Sequence, residues 1–115
     1  MKAYIGLGSN LGDREANLRQ ALEHLAQTPE TSVVRASSLY DTEPVGVEDQ
    51  PHFLNAVAQL ETQLPPRQLL WNLMLIERRL GRVRSQRWGP RTLDLDMLLY
   101  ENVVLDEDDL QLPHP

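Results

Sequence analysis

The feature that most constrains the fold is the alternation of residue types from Thr92 to Tyr100. Leucine or methionine occupies every second position from Leu93 to Leu99, and the positions between them begin with Asp94 and Asp96. A period of two predicts a β-strand with one buried face, and the Gly-Pro pair at 89–90 ends any regular element upstream. The apolar face must therefore pack against other elements, and both aspartates face the opposite way.

Similar patterns divide the rest of the chain into three more strands and two helices. Apolar or alternating segments predict strands at Ala3–Gly8, Val33–Tyr40 and Phe53–Glu61. Helical spacing of apolar residues predicts one helix after an N-cap at Asp13 and another that opens at Pro65–Pro66. The apolar stripes are Leu18, Ala21, Leu22, Leu25 and Ala26 in the first helix and Leu69, Leu73, Ile76 and Leu80 in the second, which Gly81 ends.

The order of these elements, β-α-β-β-α-β, predicts a ferredoxin-like α+β domain. In such a domain the two helices cover one face of an antiparallel sheet, and the ligand site is expected on the other face. A chain of 115 residues has room for one hydrophobic core. We therefore expect a single domain over residues 1–115.

The composition argues against several classes of protein. No cysteine is present, which rules out a disulfide framework and a thiolate metal site. The first residues lack the long apolar run of a signal peptide or membrane span. A net charge of −6 argues against a general nucleic-acid binder. We expect a cytoplasmic monomer with no membrane and no nucleic-acid partner.

The sheet face opposite the helices is predicted to be a ligand platform. The period of two places Phe53 and Asn55 on this face of one strand and Asp94 and Asp96 on this face of another. An aromatic ring beside an amide suits a flat ligand that forms hydrogen bonds. The longest predicted loops, which can fold over the platform, are 41–51 and 81–90.

The two aspartates also form a candidate metal site. Same-face neighbours on a strand have Cα atoms about 6.6 Å apart, so the carboxylates can share one Mg²⁺ or hold two ions roughly 3.5–4 Å apart. Oxygen ligands without cysteine or histidine favour Mg²⁺ over Zn²⁺. The simpler interpretation is a solvated strand face, on which acids are common.

Six of the ten arginines lie within the 14 residues from 78 to 91. Arg78 and Arg79 are interpreted as the solvated end of the second helix. The other four, which follow in a loop where their guanidinium groups can bind phosphate oxygens, are Arg82, Arg84, Arg87 and Arg91. Trp88 in this loop either stacks on a flat heterocycle or packs in a local cluster. His114 can donate a hydrogen bond to phosphate.

Further short motifs occur along the chain, at Gly8–Gly12, Tyr40–Pro44, Asp49–Pro51, Phe53–Asn55, Gly81–Arg84 and Leu112–Pro115. Together with Arg-Trp-Gly-Pro-Arg-Thr-Leu-Asp-Leu-Asp at 87–96, they resemble the 6-hydroxymethyl-7,8-dihydropterin pyrophosphokinase family, and the likeness covers essentially the whole chain. The resemblance implies an enzyme of folate biosynthesis. Its members are transferases that move a pyrophosphoryl group from ATP to the hydroxymethyl group of the dihydropterin and release AMP.

The resemblance also implies roles for individual residues. Two Mg²⁺ ions on Asp94 and Asp96 would clamp the triphosphate, and Arg82 and Arg91 would stabilise charge in the transition state. The pterin would be bound by Thr42, Glu43, Val45, Phe53, Asn55, Trp88 and Asp94. The ATP side would be lined by Arg84, Arg87, Met97 and His114. Glu77 would organise nearby arginines.

Members of the family continue beyond the Pro-His motif, so the resemblance implies that the C-terminal part of the family fold is missing after Pro115. Two other functions are compatible with the residues. One is a palm-like, metal-dependent nucleotidyl transferase, since such domains also place paired acids on a ferredoxin-like sheet. The other is a non-catalytic nucleotide- or RNA-binding module that uses the arginine and tryptophan loop.

Overall fold

A computed structural model of the chain describes residues 1–42, 52–80 and 92–115, and those ranges contain two helices and seven strands. The helices are α1 (Arg14–Ala26) and α2 (Pro66–Arg79). The strands are β1 (Lys2–Ser9), β2 (Thr31–Ala36), β3 (Tyr40–Thr42), β4 (Phe53–Thr62), β5 (Asp94–Tyr100), β6 (Leu105–Glu107) and β7 (Leu110–Leu112).

The first five strands form one antiparallel sheet. Its order is β2-β4-β1-β5, and β3 pairs with β4 as well. Helix α1 packs on β1, β2 and β4, while α2 packs on β5 and on α1. One hydrophobic core lies between the helices and the sheet. The predicted ferredoxin-like α+β arrangement, with its helices on one face, is confirmed.

The sequence of β1 explains its position at the centre of the sheet. Ala3, Ile5 and Leu7 are buried toward the helices, and Gly6 and Gly8 alternate with them on the opposite face. Successive residues of a strand point to opposite faces. The strand therefore presents a complete apolar side to the core and a glycine strip to the open face.

Helix α1 begins at the predicted N-cap, where Asp13 Oδ1 accepts a hydrogen bond from Ala16 N at 3.1 Å. Leu18 and Leu25 are fully buried, as predicted. Ala26, which was predicted to belong to the same stripe, is exposed. A helix rotates by about 100° per residue, so the position after Leu25 turns away from the core.

Helix α2 begins at the predicted proline pair, with Pro65 as the N-cap residue and Pro66 in the first turn. The predicted stripe is confirmed, with Leu69, Leu73 and Ile76 buried and Leu80 partly buried against the core. Gly81, the predicted end of the helix, lies outside the described residues. No helix in the described ranges is both long and apolar enough to cross a membrane.

The prediction of one strand at Val33–Tyr40 is wrong, because β2 and β3 divide this segment. At the break, the hydroxyl of Ser37 accepts a hydrogen bond from Val57 N at 2.9 Å. When a side chain accepts a hydrogen bond that would otherwise join two strand backbones, the pairing of the strands is interrupted. Hydrophobic periodicity does not reveal such an interruption. Asp41 and Thr42, which were predicted to be in a loop, belong to β3.

The predicted alternation of β5 reverses near its end. Leu99, predicted to face the helices, is 43% exposed, whereas Tyr100 is only 3% exposed. The register with β1 skips Leu98, and an extra residue moves every later side chain to the opposite face. The buried Tyr100 hydroxyl donates a hydrogen bond to Leu64 O at 2.5 Å, which satisfies its polar group.

The hairpin of β6 and β7 was not predicted. The acidic segment 106–109 forms the end of β6 and the turn into β7. Leu110 and Leu112 are buried, which fixes β7 to the core.

Candidate functional site

Two rows of residues cross the open face of the sheet where β1 ends. In one row, Gly8 of β1 pairs with Asn55 of β4 on one side and with Asp94 of β5 on the other. In the next row, Gly6 pairs with Asp96. Adjacent strands are about 4.8 Å apart, so β4 and β5 are separated by about 10 Å with glycine between them. We call the surface of Gly6 and Gly8 the glycine floor.

Asn55, Thr42 and Phe53 border the glycine floor on one side. Asn55 Nδ2 donates hydrogen bonds to Thr42 Oγ1 at 2.6 Å and to Phe53 O at 3.4 Å. A Cβ atom on Gly8 would lie 3.0 Å from Asn55 Oδ1 and 3.5 Å from Phe53 Cδ1. The orientation of the amide therefore depends on Thr42 and on the missing side chain at position 8.

Asp94 and Asp96 border the glycine floor on the other side. Asp94 is half-buried and Asp96 is exposed. The Nε2 atom of His114 lies 3.8 Å from Asp96 Oδ1. The two carboxylates lie on one face of β5, and the histidine beside Asp96 was not predicted to lie there.

The strand that carries these acids is an edge strand, and two other segments bind its outer backbone groups. Glu77 Oε2 accepts a hydrogen bond from Leu95 N at 2.8 Å. On the C-terminal side, His114 N donates to Leu98 O at 2.9 Å. Because unpaired backbone groups leave an edge free to shift, these contacts from α2 and the C-terminal segment hold both aspartates in place.

A cavity of about 230 Å³ lies beside Asp96, between β5, α2 and the β6–β7 hairpin. Met97 and His114 line one side of it, and Leu70 of α2 lines another. The hairpin contributes Asp108, Asp109, Leu110 and Gln111. Ligand pockets usually have volumes of roughly 300–1,000 Å³, so this cavity has room for a base or a ribose rather than a complete nucleotide.

The structure brings together the site residues that lie in its described ranges. Thr42, Phe53, Asn55 and Asp94 border the glycine floor, as the preceding hydrogen bonds and pairings show. Asp96, Met97 and His114 line the adjacent cavity. The predicted residues that lie outside the described ranges are Glu43, Val45, Arg82, Arg84, Arg87, Trp88 and Arg91.

The carboxylates fit a metal ion that arrives with a phosphate ligand. Within residues 1–42, 52–80 and 92–115, no group of three or more histidine, cysteine, aspartate or glutamate side chains is arranged to hold a metal ion. In nucleotide-dependent enzymes Mg²⁺ is usually bound by one or two carboxylates together with substrate phosphates. Asp94 and Asp96 supply that donor set, and they do not supply the four ligands of a structural zinc site.

Sequence reasoning missed three features of this site. The glycine floor was detectable, because Gly6 and Gly8 alternate with the apolar residues of β1. The hydrogen bond from Leu95 N to Glu77 was not detectable, since it joins residues 18 positions apart. The β6–β7 hairpin was hidden because its strands have only three residues each.

Comparison with known proteins gives a consistent result. The family model of 7,8-dihydro-6-hydroxymethylpterin-pyrophosphokinase matches residues 4–115. The 2-amino-4-hydroxy-6-hydroxymethyldihydropteridine pyrophosphokinase of Bacillus subtilis is 50% identical over 113 residues, which are 98% of this chain and 68% of that protein. The protein of the same name from Methylorubrum extorquens is also 50% identical, over 98% of this chain and 72% of its own length. A third, from Pseudomonas putida, is 48% identical over 99% of this chain and 94% of its length.

Proposed function

The chain belongs to the 7,8-dihydro-6-hydroxymethylpterin-pyrophosphokinase family, and we propose that it transfers the pyrophosphoryl group of ATP to 6-hydroxymethyl-7,8-dihydropterin on the open face of its sheet. The products are AMP and the pterin diphosphate, an intermediate of folate biosynthesis. We infer the location of the site from the row Asn55–Gly8–Asp94, in which these residues pair across three neighbouring strands. The row combines an amide and a carboxylate on opposite sides of Gly8, which has no side chain.

The pterin is assigned to the amide side of the glycine floor. A flat ring can lie over Gly8, stack on Phe53, and form hydrogen bonds with Asn55 and Thr42. The amide is suited to this role because its Nδ2 is already held by Thr42 Oγ1 at 2.6 Å. The remaining pterin contacts that we propose are Glu43, Val45, Trp88 and Asp94.

ATP is assigned to the acid side and to the cavity next to it. Met97 and His114 line a space of about 230 Å³, which suits the base or ribose of the nucleotide. The triphosphate would then extend past Asp96 toward the glycine floor. Arg84 and Arg87 are proposed to bind it, because guanidinium groups form paired hydrogen bonds with phosphate oxygens.

Asp94 and Asp96 are proposed to hold two Mg²⁺ ions with the triphosphate. When bound, Mg²⁺ neutralises charge on the phosphate oxygens and helps to align them. The two carboxylates are suited to this because they lie on the same face of one strand and because the edge of that strand is bound by Glu77 and His114. Asp94 would serve both substrates, since it borders the pterin floor.

The reaction needs positioning and charge balance more than covalent help. The hydroxymethyl oxygen attacks the β-phosphorus and its proton is released to solvent, while the bond from that phosphorus to the bridging oxygen of the α-phosphate breaks and AMP leaves. Charge on the phosphoryl oxygens rises during this step. We assign its stabilisation to Arg82 and Arg91, whose guanidinium groups are suited to donate hydrogen bonds to these oxygens.

The family assignment does not favour the two alternative functions. A palm-like nucleotidyl transferase would release pyrophosphate. An RNA-binding module would need a basic surface, and a net charge of −6 argues against one. We also propose that the chain is a monomer in the cytoplasm and that it acts without nucleic-acid or membrane partners.

The products of the reaction test the proposal. The chain is incubated with ATP, Mg²⁺ and 6-hydroxymethyl-7,8-dihydropterin, and the nucleotides are separated by ion-exchange chromatography. We expect AMP and pterin diphosphate in equal amounts. Pyrophosphate in place of AMP would indicate nucleotidyl transfer, and a folded sample that yields neither would contradict the proposed function.

A further inference from the structure

Arg67, in the first turn of α2, binds the tip of the β6–β7 hairpin through both terminal nitrogens of its guanidinium group. Its Nη1 is 2.8 Å from Asp109 Oδ2, and its Nη2 is 2.9 Å from Asp109 Oδ1. The Nη2 atom also binds Glu107 Oε1. A forked pair of charge-assisted bonds with a second carboxylate is the arrangement in which a surface ion pair has a measurable effect.

The two elements that Arg67 joins are two walls of the cavity described above. The hairpin supplies Asp109, Leu110 and Gln111 to the lining, and α2 supplies Leu70, which follows Arg67 by one turn. Leu112 at the base of the hairpin and Leu110 beside its turn are buried, whereas the turn residues Asp108 and Asp109 are exposed. The contact with Arg67 therefore sets the distance between the hairpin tip and α2.

Arg67 also balances charge at a wall that would otherwise repel a polyphosphate. The cavity lining includes Asp96, Asp108 and Asp109 but neither lysine nor arginine among the described residues. Hydrogen bonds and attraction to Arg67 lower the pKa of Asp109, and the bonds to Asp109 and Glu107 raise the pKa of Arg67. Both groups are thus charged at neutral pH, and the acid is paired before a nucleotide arrives.

We propose that Arg67 is a positioning residue for the nucleotide, which acts by holding the β6–β7 hairpin against α2 and keeping the cavity open to the base and ribose of ATP. The proposal rests on the proposed function, because it takes the cavity as the nucleotide side of the site. Arg67 makes no contact with the reacting phosphates in this account. Its loss should consequently weaken ATP binding without slowing the chemical step.

The test compares Arg67→Gln with the unaltered chain in two assays. In steady-state kinetics, we expect the KM for ATP to rise about three- to tenfold, with kcat and the KM for the dihydropterin unchanged within about twofold. By calorimetry, the Kd of Mg²⁺-bound α,β-methylene-ATP, whose bridging group cannot be cleaved, should rise by the same factor. Arg19→Gln removes a comparable exposed pair, with Glu15 on α1, and should change neither constant.

A conservative variant separates positioning from a general loss of stability. Arg67→Lys retains the charge but lacks the fork, so it should recover part of the lost ATP affinity. If Arg67→Gln does not fold, the KM for ATP and the analogue Kd of Arg67→Lys test the proposal instead. If the enzyme is active and both variants have an unchanged KM for ATP, the role of Arg67 is overturned but the proposed function is not. A parallel change in kcat and in both KM values would also overturn the role of Arg67. Absence of turnover and of analogue binding in the unaltered chain would overturn the proposed function, and this proposal with it.

Discussion

At the scale of single residues, the site depends on the absence of a Cβ atom at Gly8. The side-chain hydrogen at Gly8 leaves Asn55 Oδ1 and the ring of Phe53 close to the backbone of β1, and a Cβ would lie only 3.0 Å from that oxygen. Contacts of Cβ atoms at this distance require the neighbour to move. Asn55 cannot move freely, because its Nδ2 is bound to Thr42 at 2.6 Å.

Gly8→Ala should therefore weaken pterin binding by displacing the amide of Asn55. We expect the KM for the dihydropterin to rise about tenfold or more, because a buried polar group of the ligand loses its partner, while the KM for ATP changes little. Steady-state kinetics with each substrate varied in turn gives both constants. Gly6→Ala is the matched control, since the atoms nearest to its Cβ would belong to the flexible side chain of Leu98, at 3.4 Å. Equal effects of the two substitutions would contradict this account of Gly8.

Asp96→Ala should weaken the binding of Mg²⁺ and ATP without unfolding the chain. Asp96 is exposed on the open face, so its loss removes one of the two carboxylates that we propose as metal ligands but no core contact. We expect the Kd of Mg²⁺-bound ATP, measured by calorimetry, to rise about tenfold or more, with the Tm within a few degrees. Glu23→Ala, on the exposed side of α1, should change neither value. Loss of folding in Asp96→Ala would instead favour a structural role for this acid.

At the scale of secondary structure, the position of β5 depends on its edge. The strand pairs with β1 on one side only, and the carboxylate of Glu77 binds the N–H of Leu95 on the other side. Glu77 is buried at 7% exposure. It thus links α2 to the segment between Asp94 and Asp96.

Glu77→Ala should destabilise the fold and also allow the strand segment that carries Asp94 and Asp96 to shift. We expect the free energy of unfolding to fall by about 1–3 kcal/mol, because the N–H of Leu95 is left without its acceptor. Urea denaturation followed by circular dichroism measures this value. Glu77→Gln keeps an oxygen acceptor and should recover part of the loss. If both variants unfold at the same urea concentration as the unaltered chain, the hydrogen bond does not hold the strand.

The elements that sequence predicted correctly are those with a long, uninterrupted pattern. Both helices and β4 are at least ten residues long, and burial of their apolar residues sets their faces. The errors arose where a single local interaction overrode the pattern. Ser37 replaces a backbone partner between β2 and β3, and the skipped residue Leu98 reverses the faces of β5.

At the scale of the whole molecule, folding buries one tyrosine hydroxyl. Burial is the main cause that raises the pKa of Tyr100 above its ordinary value of 10.0, and repulsion from the charge of Glu101 raises it further. Above that pH the unfolded chain loses this proton while the folded chain keeps it, so stability decreases as the pH rises. Below pH 10 the proton is bound in both states and this contribution is constant.

The free energy of unfolding should accordingly decline between about pH 10 and the raised pKa of Tyr100. Chemical denaturation at a series of alkaline pH values measures the decline. Tyr100→Phe should reduce the slope, although it also loses the hydrogen bond to Leu64 O. Tyr40→Phe is the control, since Tyr40 is 46% exposed. An equal slope in the unaltered chain and Tyr100→Phe would contradict the assignment.

The whole site was only partly predictable from sequence. The shared face of Asp94 and Asp96 follows from a period of two, and that of Phe53 and Asn55 follows in the same way. The cavity does not follow from any local pattern, because its walls come from α2, β5 and the hairpin. The contact that joins two of them spans 42 residues, from Arg67 to Asp109.

The fate of each phosphorus atom of ATP tests the central claim most directly. The chain is incubated with Mg²⁺, the dihydropterin and ATP labelled with ³²P at either the α or the β position, and the products are separated. The account predicts that the β label is found in the pterin product and that the α label remains in AMP, because the pterin hydroxyl attacks the β-phosphorus. Transfer of the α label to the pterin, with the β label released as pyrophosphate, would contradict it.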